Sequence, residues 1–123
     1  MKQINSDYTA GSQIVVFDQV DATYVGGAHV DTVDALTRFT DKVIPAGTLV
    51  VPHTNGTFKV LTEALTAVNV VGAIGLTAHD VVIDDMPLVA VVMAGTVRKD
   101  ALPSLEKAGV AEIVKVLPRL SFY

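Results

Sequence analysis

The stretch that decides the fold begins with VIPAGTLVVPHTNGTFKVL, residues 43–61, and continues in the same style to Val97. Short runs rich in Val alternate there with Gly, Pro, Asn and Asp at intervals typical of turns. Such runs are too short for independent helices, and their branched side chains favour the pleated backbone of a strand. We therefore expect residues 43–97 to supply the strands of one compact sheet or barrel.

A hairpin is the clearest local prediction within this stretch. Asn55-Gly56 is a strong hairpin signal, because both positions tolerate the left-handed conformation of a type I′ turn. The signal predicts that residues 48–52 pair with residues 57–61. Pro45 and Gly47 predict a bend just before this hairpin.

Two further runs extend the predicted sheet. Residues 68–76 suggest a strand in which Gly72 and Gly75 mark a bulge or a close backbone approach. Residues 88–93 are apolar at every position, as in a strand that is buried on both faces. We expect the core to cover one face and a neighbouring subunit the other, which makes this strand the candidate for self-association. The candidate residues are Leu88, Val89, Val91 and Val92.

The C-terminal part changes from strand to helix periodicity. One apolar stripe is formed by Val110, Ile113, Val114 and Leu117, at spacings of three, four and seven residues. Pro103 suits the first turn of this helical region, Gly109 kinks or divides it, and Pro118 ends it. Residues 120–123 alternate between apolar and polar side chains and could add a last strand at the sheet edge.

Residues 29–39, before the Val-rich stretch, alternate only loosely between polar and apolar side chains. We predict that they are extended.

The N-terminus is expected to be an arm. Residues 1–12 are polar and contain turn-forming residues, so we predict a flexible arm followed by a single β-rich domain, residues 13–123. The predicted fold class is α+β and mainly β. It is a small partly closed β-barrel or β-sandwich with a C-terminal helix and an extended N-terminal arm.

Composition limits the possible partners. Only 18% of the 123 residues are charged, which favours burial of surface against copies of the chain or a partner. The net charge of −4 is unsuited to binding nucleic acid, whose phosphates require a basic surface. No apolar run is long enough to span a bilayer, and the N-terminus does not resemble a signal peptide. We therefore expect a soluble protein made in a cytoplasm. Residues 1–41 hold six acids against two bases, and residues 98–123 hold five bases against three acids. This polarity suits head-to-tail contact between copies.

The sequence offers little for catalysis. There is no Cys, and His29, His53 and His79 lack the spacing of metal ligands. His79-Asp80 does not make a catalytic dyad, because adjacent strand residues point to opposite faces. We therefore expect no enzymatic activity, no metal and no cofactor.

Several motifs follow one another in a particular order in the second part of the chain. Pro45-Ala46-Gly47-Thr48 enters a strand, and Gly72-Ala73-Ile74-Gly75-Leu76 precedes His79-Asp80-Val81. A strand at residues 89–93 then runs into Gly95-Thr96-Val97, and Leu102-Pro103 comes before a helix and a closing strand. This order of motifs resembles the head decoration proteins of tailed bacteriophages, and the similarity covers roughly residues 43–123.

The resemblance implies a structural virion protein that binds the capsid exterior as a homotrimer and stabilises contacts between major capsid subunits. The expected partners are therefore the major capsid protein and further copies of the chain, with no nucleic acid and no membrane. For capsid contact we expect the arm and the segment Ile14, Val15, Val16 and Phe17.

Two alternatives remain open. One is a small-molecule-binding β-barrel or an accessory enzyme subunit, with a pocket lined by Val-rich strands around His79. The other is the base domain of a head fibre, which would share the same chemistry in another place on the virion.

Overall fold

The computed structural model describes residues 16–85 and 87–123. The predicted arm, Ile14 and Val15 lie outside the described residues. The described chain is mainly β with helices near its C-terminus. The strands are β1 Phe17–Thr23, β2 Ala28–His29, β3 Val43–Ile44, β4 Leu49–Pro52, β5 Phe58–Lys59, β6 Gly75–Thr77, β7 Val81–Val82, β8 Leu88–Val89, β9 Val91–Val97 and β10 Leu120–Phe122. The α-helices are α1 Thr32–Arg38, α2 Ser104–Ala108 and α3 Val110–Val116.

The main sheet is open. Its strand order is β1-β9-β6-β4-β5, and β10 adds to β9 as a parallel neighbour. Two small antiparallel pairs, β2 with β8 and β3 with β7, lie outside it. The strand pairs do not close into a ring, so the predicted partly closed barrel is not confirmed, whereas the mainly β composition is.

Both faces of the main sheet are buried by the chain itself. Successive residues of β4 alternate between two core clusters: Leu49 and Val51 belong to the first and Val50 to the second. The first cluster includes Ile113 of α3, and the second includes Ala35 of α1. The helical C-terminus therefore covers one face, and α1 with the two small strand pairs covers the other. This arrangement explains why the Val runs are continuous rather than alternating.

The predicted hairpin is confirmed, but its turn is different. Strand β4 pairs with β5 antiparallel, as expected, with Val51 opposite Lys59 and Pro52 opposite Phe58. A three-residue 3₁₀ turn, Thr54–Gly56, closes the hairpin, and Gly56 has a positive φ, 76°. A type I′ hairpin turn has two residues, so that part of the prediction is wrong.

Two predicted extended segments are strands only in part. Of residues 29–39, His29 belongs to β2 and Val30 forms a bridge with Phe58. Residues 32–38 form α1, because the Asp31 side chain caps the helix by accepting a 2.9 Å hydrogen bond from the Val33 amide. Residues 68–72 form turns, and only the end of that run, Gly75–Thr77, is a strand. The close approach predicted at Gly75 is present, since a Cβ there would overlap the carbonyl oxygen of Val92.

The C-terminal helical region is divided at Gly109, as predicted. Ile113 and Leu117 are buried, but Val114 is exposed, so the predicted stripe is wrong at that position. Val116 instead packs against the first core cluster. The closing strand β10 is confirmed, parallel to β9.

A buried ion pair joins the layers. Arg38 of α1 donates two hydrogen bonds to the Glu106 carboxylate of α2, and Glu106 also accepts a 3.0 Å bond from the Leu49 amide. Arg38 donates a further 3.1 Å bond to the Leu61 carbonyl. One buried carboxylate therefore fixes α1 and α2 to β4.

Candidate assembly surface

Strand β1 forms an edge of the main sheet with its outer side unpaired by any described strand. It pairs with β9 on its inner side, and three register shifts interrupt that ladder. The four residues from Asp18 to Asp21 are all exposed, including Val20 at 48%. An edge of this kind offers free backbone donors and acceptors to another chain. At the opposite edge, the Phe58 carbonyl of β5 accepts a 2.8 Å bond from the Asp31 amide and is therefore covered.

An apolar corner adjoins the end of β1. Val25 is 93% exposed at the tip of the turn from Tyr24 to Gly27, and Leu88 of β8 is 52% exposed. Leu88 lies beside Gly27, two residues after Val25, since a Cβ at Gly27 would lie 3.2 Å from the Leu88 Cδ1. We call Val25 and Leu88 the Val25 corner. Large exposed apolar side chains that cluster in this way are typical of contact surfaces.

A groove interrupts the other side of β9. Strand β6 pairs with Val91 and Val92, and β10 pairs with residues 95–97, so Met93 lies in the gap between them. The gap opens into a groove of about 220 Å³, which we call the β9 groove. Its lining residues are Ala73, Ile74, Met93, Val116, Leu117, Pro118 and Arg119. Its surface is mainly apolar, with the exposed Arg119 as its one charged lining residue.

A second cleft, of about 230 Å³, is polar. It is lined by Asp34, Lys59, Val60, Leu61, Thr62, Glu63 and Asn69. The Asn69 side chain is already engaged, since it accepts a 2.7 Å bond from the Thr66 amide and donates a 2.9 Å bond to the Ala64 carbonyl. Asn69 therefore holds the loop around the cleft in place.

The residues predicted for capsid contact are only partly described. Val16 is buried, and the Cβ that Gly47 lacks would approach its side chain to 3.1 Å. The Val16 carbonyl accepts a 2.8 Å hydrogen bond from the Arg98 amide. Phe17 is half-buried at the start of β1 and packs against the first core cluster. The prediction needs correction at Val16, which anchors the chain in its own core instead of facing a partner.

The residues predicted for self-association need the same correction. Val89, Val91 and Val92 are fully buried within this chain, because both faces of the sheet are covered by its own elements. Their side chains cannot reach a second copy in this fold. Leu88 alone among the four is exposed, and it belongs to the Val25 corner.

The histidines do not form a site with one another. His53 lies 3.7 Å from Asp31, measured from Nε2 to Oδ2, near the start of α1. His79 is exposed in a turn, and its neighbour Asp80 accepts a 2.8 Å hydrogen bond from the Ala46 amide. Within residues 16–85 and 87–123, no group of three or more His, Asp or Glu side chains is placed to hold a metal ion. No helix in these ranges is long and apolar enough to cross a membrane.

Sequence reasoning missed the Val25 corner and the β9 groove. Gly26-Gly27 is typical of a turn, but the exposure of Val25 before it depends on the conformation that this turn adopts. The groove depends on the gap between β6 and β10, which are far apart in sequence. Searches against protein-family models, curated proteins and solved structures gave no significant match to this chain.

Proposed function

We propose that this chain is a structural virion protein that binds the outside of a phage capsid as a homotrimer and stabilises contacts between major capsid subunits. It would be made in the host cytoplasm and be located on the capsid exterior. The phage component of the proposal comes from the order of motifs between residues 43 and 123, which resembles head decoration proteins.

The observation that carries the proposal is the free edge of β1. This strand begins at Phe17, with the buried Val16 between it and residues 1–15, and four consecutive residues on it are exposed. Because its outer backbone pairs with no described strand, it can accept a strand from a partner or continue as one. The Val25 corner extends this surface beyond the strand. Binding through a surface of this kind needs no reactive group.

The small-molecule alternative requires a pocket around His79. The polar cleft and the β9 groove are lined by other residues, and His79 is exposed in a turn. The Val-rich strands named in that alternative instead pack side chain to side chain in the two core clusters. The contact surface is therefore the better supported function.

The test is a deletion of residues 1–12, measured by co-sedimentation with empty heads that carry the cognate major capsid protein. We expect the truncated chain to lose capsid occupancy and to keep its oligomeric state. A variant in which residues 1–12 are scrambled is the matched control, since it keeps length and composition and should also fail to bind. Unchanged occupancy of both variants would exclude the arm as the anchor, and no binding of the complete chain would exclude the proposed function.

A further inference from the structure

We propose that copies of this chain join head to tail, with the Val25 corner of one copy seated in the β9 groove of the next. The inference rests on the proposed homotrimer and names the two surfaces that would build it. Three properties of these surfaces carry it: shape, polarity and charge.

The Val25 corner is convex and held in place. Its turn is fixed by a 3.1 Å hydrogen bond from the Gly27 amide to the Tyr24 carbonyl and a 2.8 Å bond from the Tyr24 amide to the Val91 carbonyl. At Gly26, beside Val25, a Cβ would have no other atom within 4 Å, so the tip projects into open space. A preformed apolar projection loses little conformational freedom on binding.

The β9 groove is the concave counterpart. It is lined by Ala73 and Ile74 just before β6, by Met93 of β9, and by the segment from Val116 to Arg119 at the end of α3 and beyond. Its volume of about 220 Å³ is sufficient for an aliphatic side chain such as that of Val25. Burial of Val25 there would remove apolar surface from water on both copies.

Charge favours this pairing over contact between two identical corners. Residues 17–31 contain Asp18, Asp21 and Asp31 and no Lys or Arg. Asp18 is paired with Arg98, but Asp21 and Asp31 would still bring like charges together if two corners met. At the groove, Lys115 is paired with Glu112, so Arg119 is the cation that remains for a neighbouring copy. The Arg119 side chain makes no hydrogen bond or ion pair with a described residue. Opposite charges therefore orient the corner of one copy toward the groove of another.

The consequence is a heterologous interface. Each copy contributes a corner to one neighbour and a groove to the other, and such contacts close into a ring when the rotation between copies allows it. A ring of three copies has this property, whereas a two-fold dimer would need one surface to contact itself.

The experiment breaks each half of the contact separately. Val25→Lys places a charge in the apolar groove and near Arg119, and Ala73→Phe fills the groove from within its own chain. Val82→Lys is the matched control, because Val82 is 68% exposed on β7, outside both surfaces. Oligomeric mass is measured by light scattering and sedimentation equilibrium over a concentration series, with circular dichroism to verify folding. We expect each interface variant to weaken association about tenfold or more, and the control to behave as the unmodified chain.

Mixing the two interface variants separates head-to-tail contact from any self-complementary one. The Val25→Lys chain keeps an intact groove and the Ala73→Phe chain keeps an intact corner, so the mixture should form dimers through one good junction and no larger rings. An unmodified chain that stays monomeric, a Val25→Lys chain that keeps full association, or a mixture without dimers would overturn the inference. Capsid occupancy of the same proteins is scored independently. A trimer insensitive to Val25→Lys that still binds heads would therefore leave the proposed function standing.

Discussion

The Arg38 guanidinium and the Glu106 carboxylate form an ion pair inside the protein, with the Arg38 side chain only 8% exposed and the Glu106 side chain fully buried. Arg38 also lies over the Phe39 ring, 4.7 Å from its centroid. The pair joins two helices that are 68 residues apart in sequence. Because every oxygen of the carboxylate has a donor, the charge is tolerated in the core.

Removal of either partner should therefore be severe. Arg38→Met leaves the buried carboxylate without its counter-charge, and we expect it to lower the free energy of unfolding by about 3–5 kcal/mol. Urea denaturation followed by circular dichroism measures this loss. The control is Lys115→Met, which removes the exposed pair with Glu112 and should cost less than about 0.5 kcal/mol. Equal losses for the two variants would contradict the assigned role of the buried pair.

This ion pair shows where sequence reasoning reaches its limit. The strands β4, β5, β7 and β10 were predictable, because short Val-rich runs and turn residues are local signals. The partner of Arg38 was not, since nothing near Arg38 in the chain points to Glu106. Helix α1 was missed for a related reason, because its inward face presents Ala35 and Arg38 while Val33 and Leu36 are exposed. A helix with that pattern lacks the apolar stripe that periodicity detects.

The candidate surface was predictable only in outline. Composition and charge polarity predicted contact between copies, and of the four residues predicted for self-association Leu88 is the one exposed in this fold. The burial of Val89, Val91 and Val92 was attributed in part to a neighbour, because a continuous apolar run cannot reveal which chain covers each face. The second layer that covers them comes from α1 and the small strand pairs, whose pairing is not local in sequence.

Thr77 is expected to be a stabilising polar residue of the core. It is fully buried, and its hydroxyl accepts a 3.0 Å bond from the Thr48 amide and donates a 2.8 Å bond to the Pro45 carbonyl. Thr77→Val keeps the shape and leaves a buried amide without this acceptor, so we expect a loss of about 1–3 kcal/mol in unfolding free energy.

The control for Thr77 is Thr37→Val. The Thr37 hydroxyl donates a 2.9 Å bond to the Val33 carbonyl on the exposed face of α1, where water replaces the lost bond. We expect Thr37→Val to lower the free energy of unfolding by less than about 0.5 kcal/mol. A Thr77→Val chain as stable as the Thr37→Val chain in chemical denaturation would show that the Pro45–Thr48 turn does not depend on this hydroxyl.

Gly75 should not accept a side chain. A Cβ at this position would overlap the Val92 carbonyl, a backbone atom of the central strand that cannot move without disturbing the sheet. We expect Gly75→Ala to lower the free energy of unfolding by about 3 kcal/mol or more. Gly56→Ala is the comparison, because Gly56 has open space around it and only its positive φ opposes a side chain. We expect Gly56→Ala to lower the free energy of unfolding by about 1–2 kcal/mol. Thermal unfolding of both variants shows which one loses more stability. A larger loss for Gly56→Ala than for Gly75→Ala would refute the close approach of Gly75 to the Val92 carbonyl.

The contrast between Leu88 and Val89 tests which side of β8 belongs to the core. Leu88→Ala removes more carbon than Val89→Ala, so side-chain size alone predicts the larger loss for Leu88. The structure predicts the opposite, because Val89 is fully buried and Leu88 is about half exposed. We expect Val89→Ala to cost about 2–3 kcal/mol and Leu88→Ala less than about 1 kcal/mol in the free energy of unfolding. Denaturant titration at low protein concentration makes the comparison in the monomer. If Leu88→Ala proved the more damaging change under those conditions, the outward placement of Leu88, and with it the Val25 corner, would be wrong.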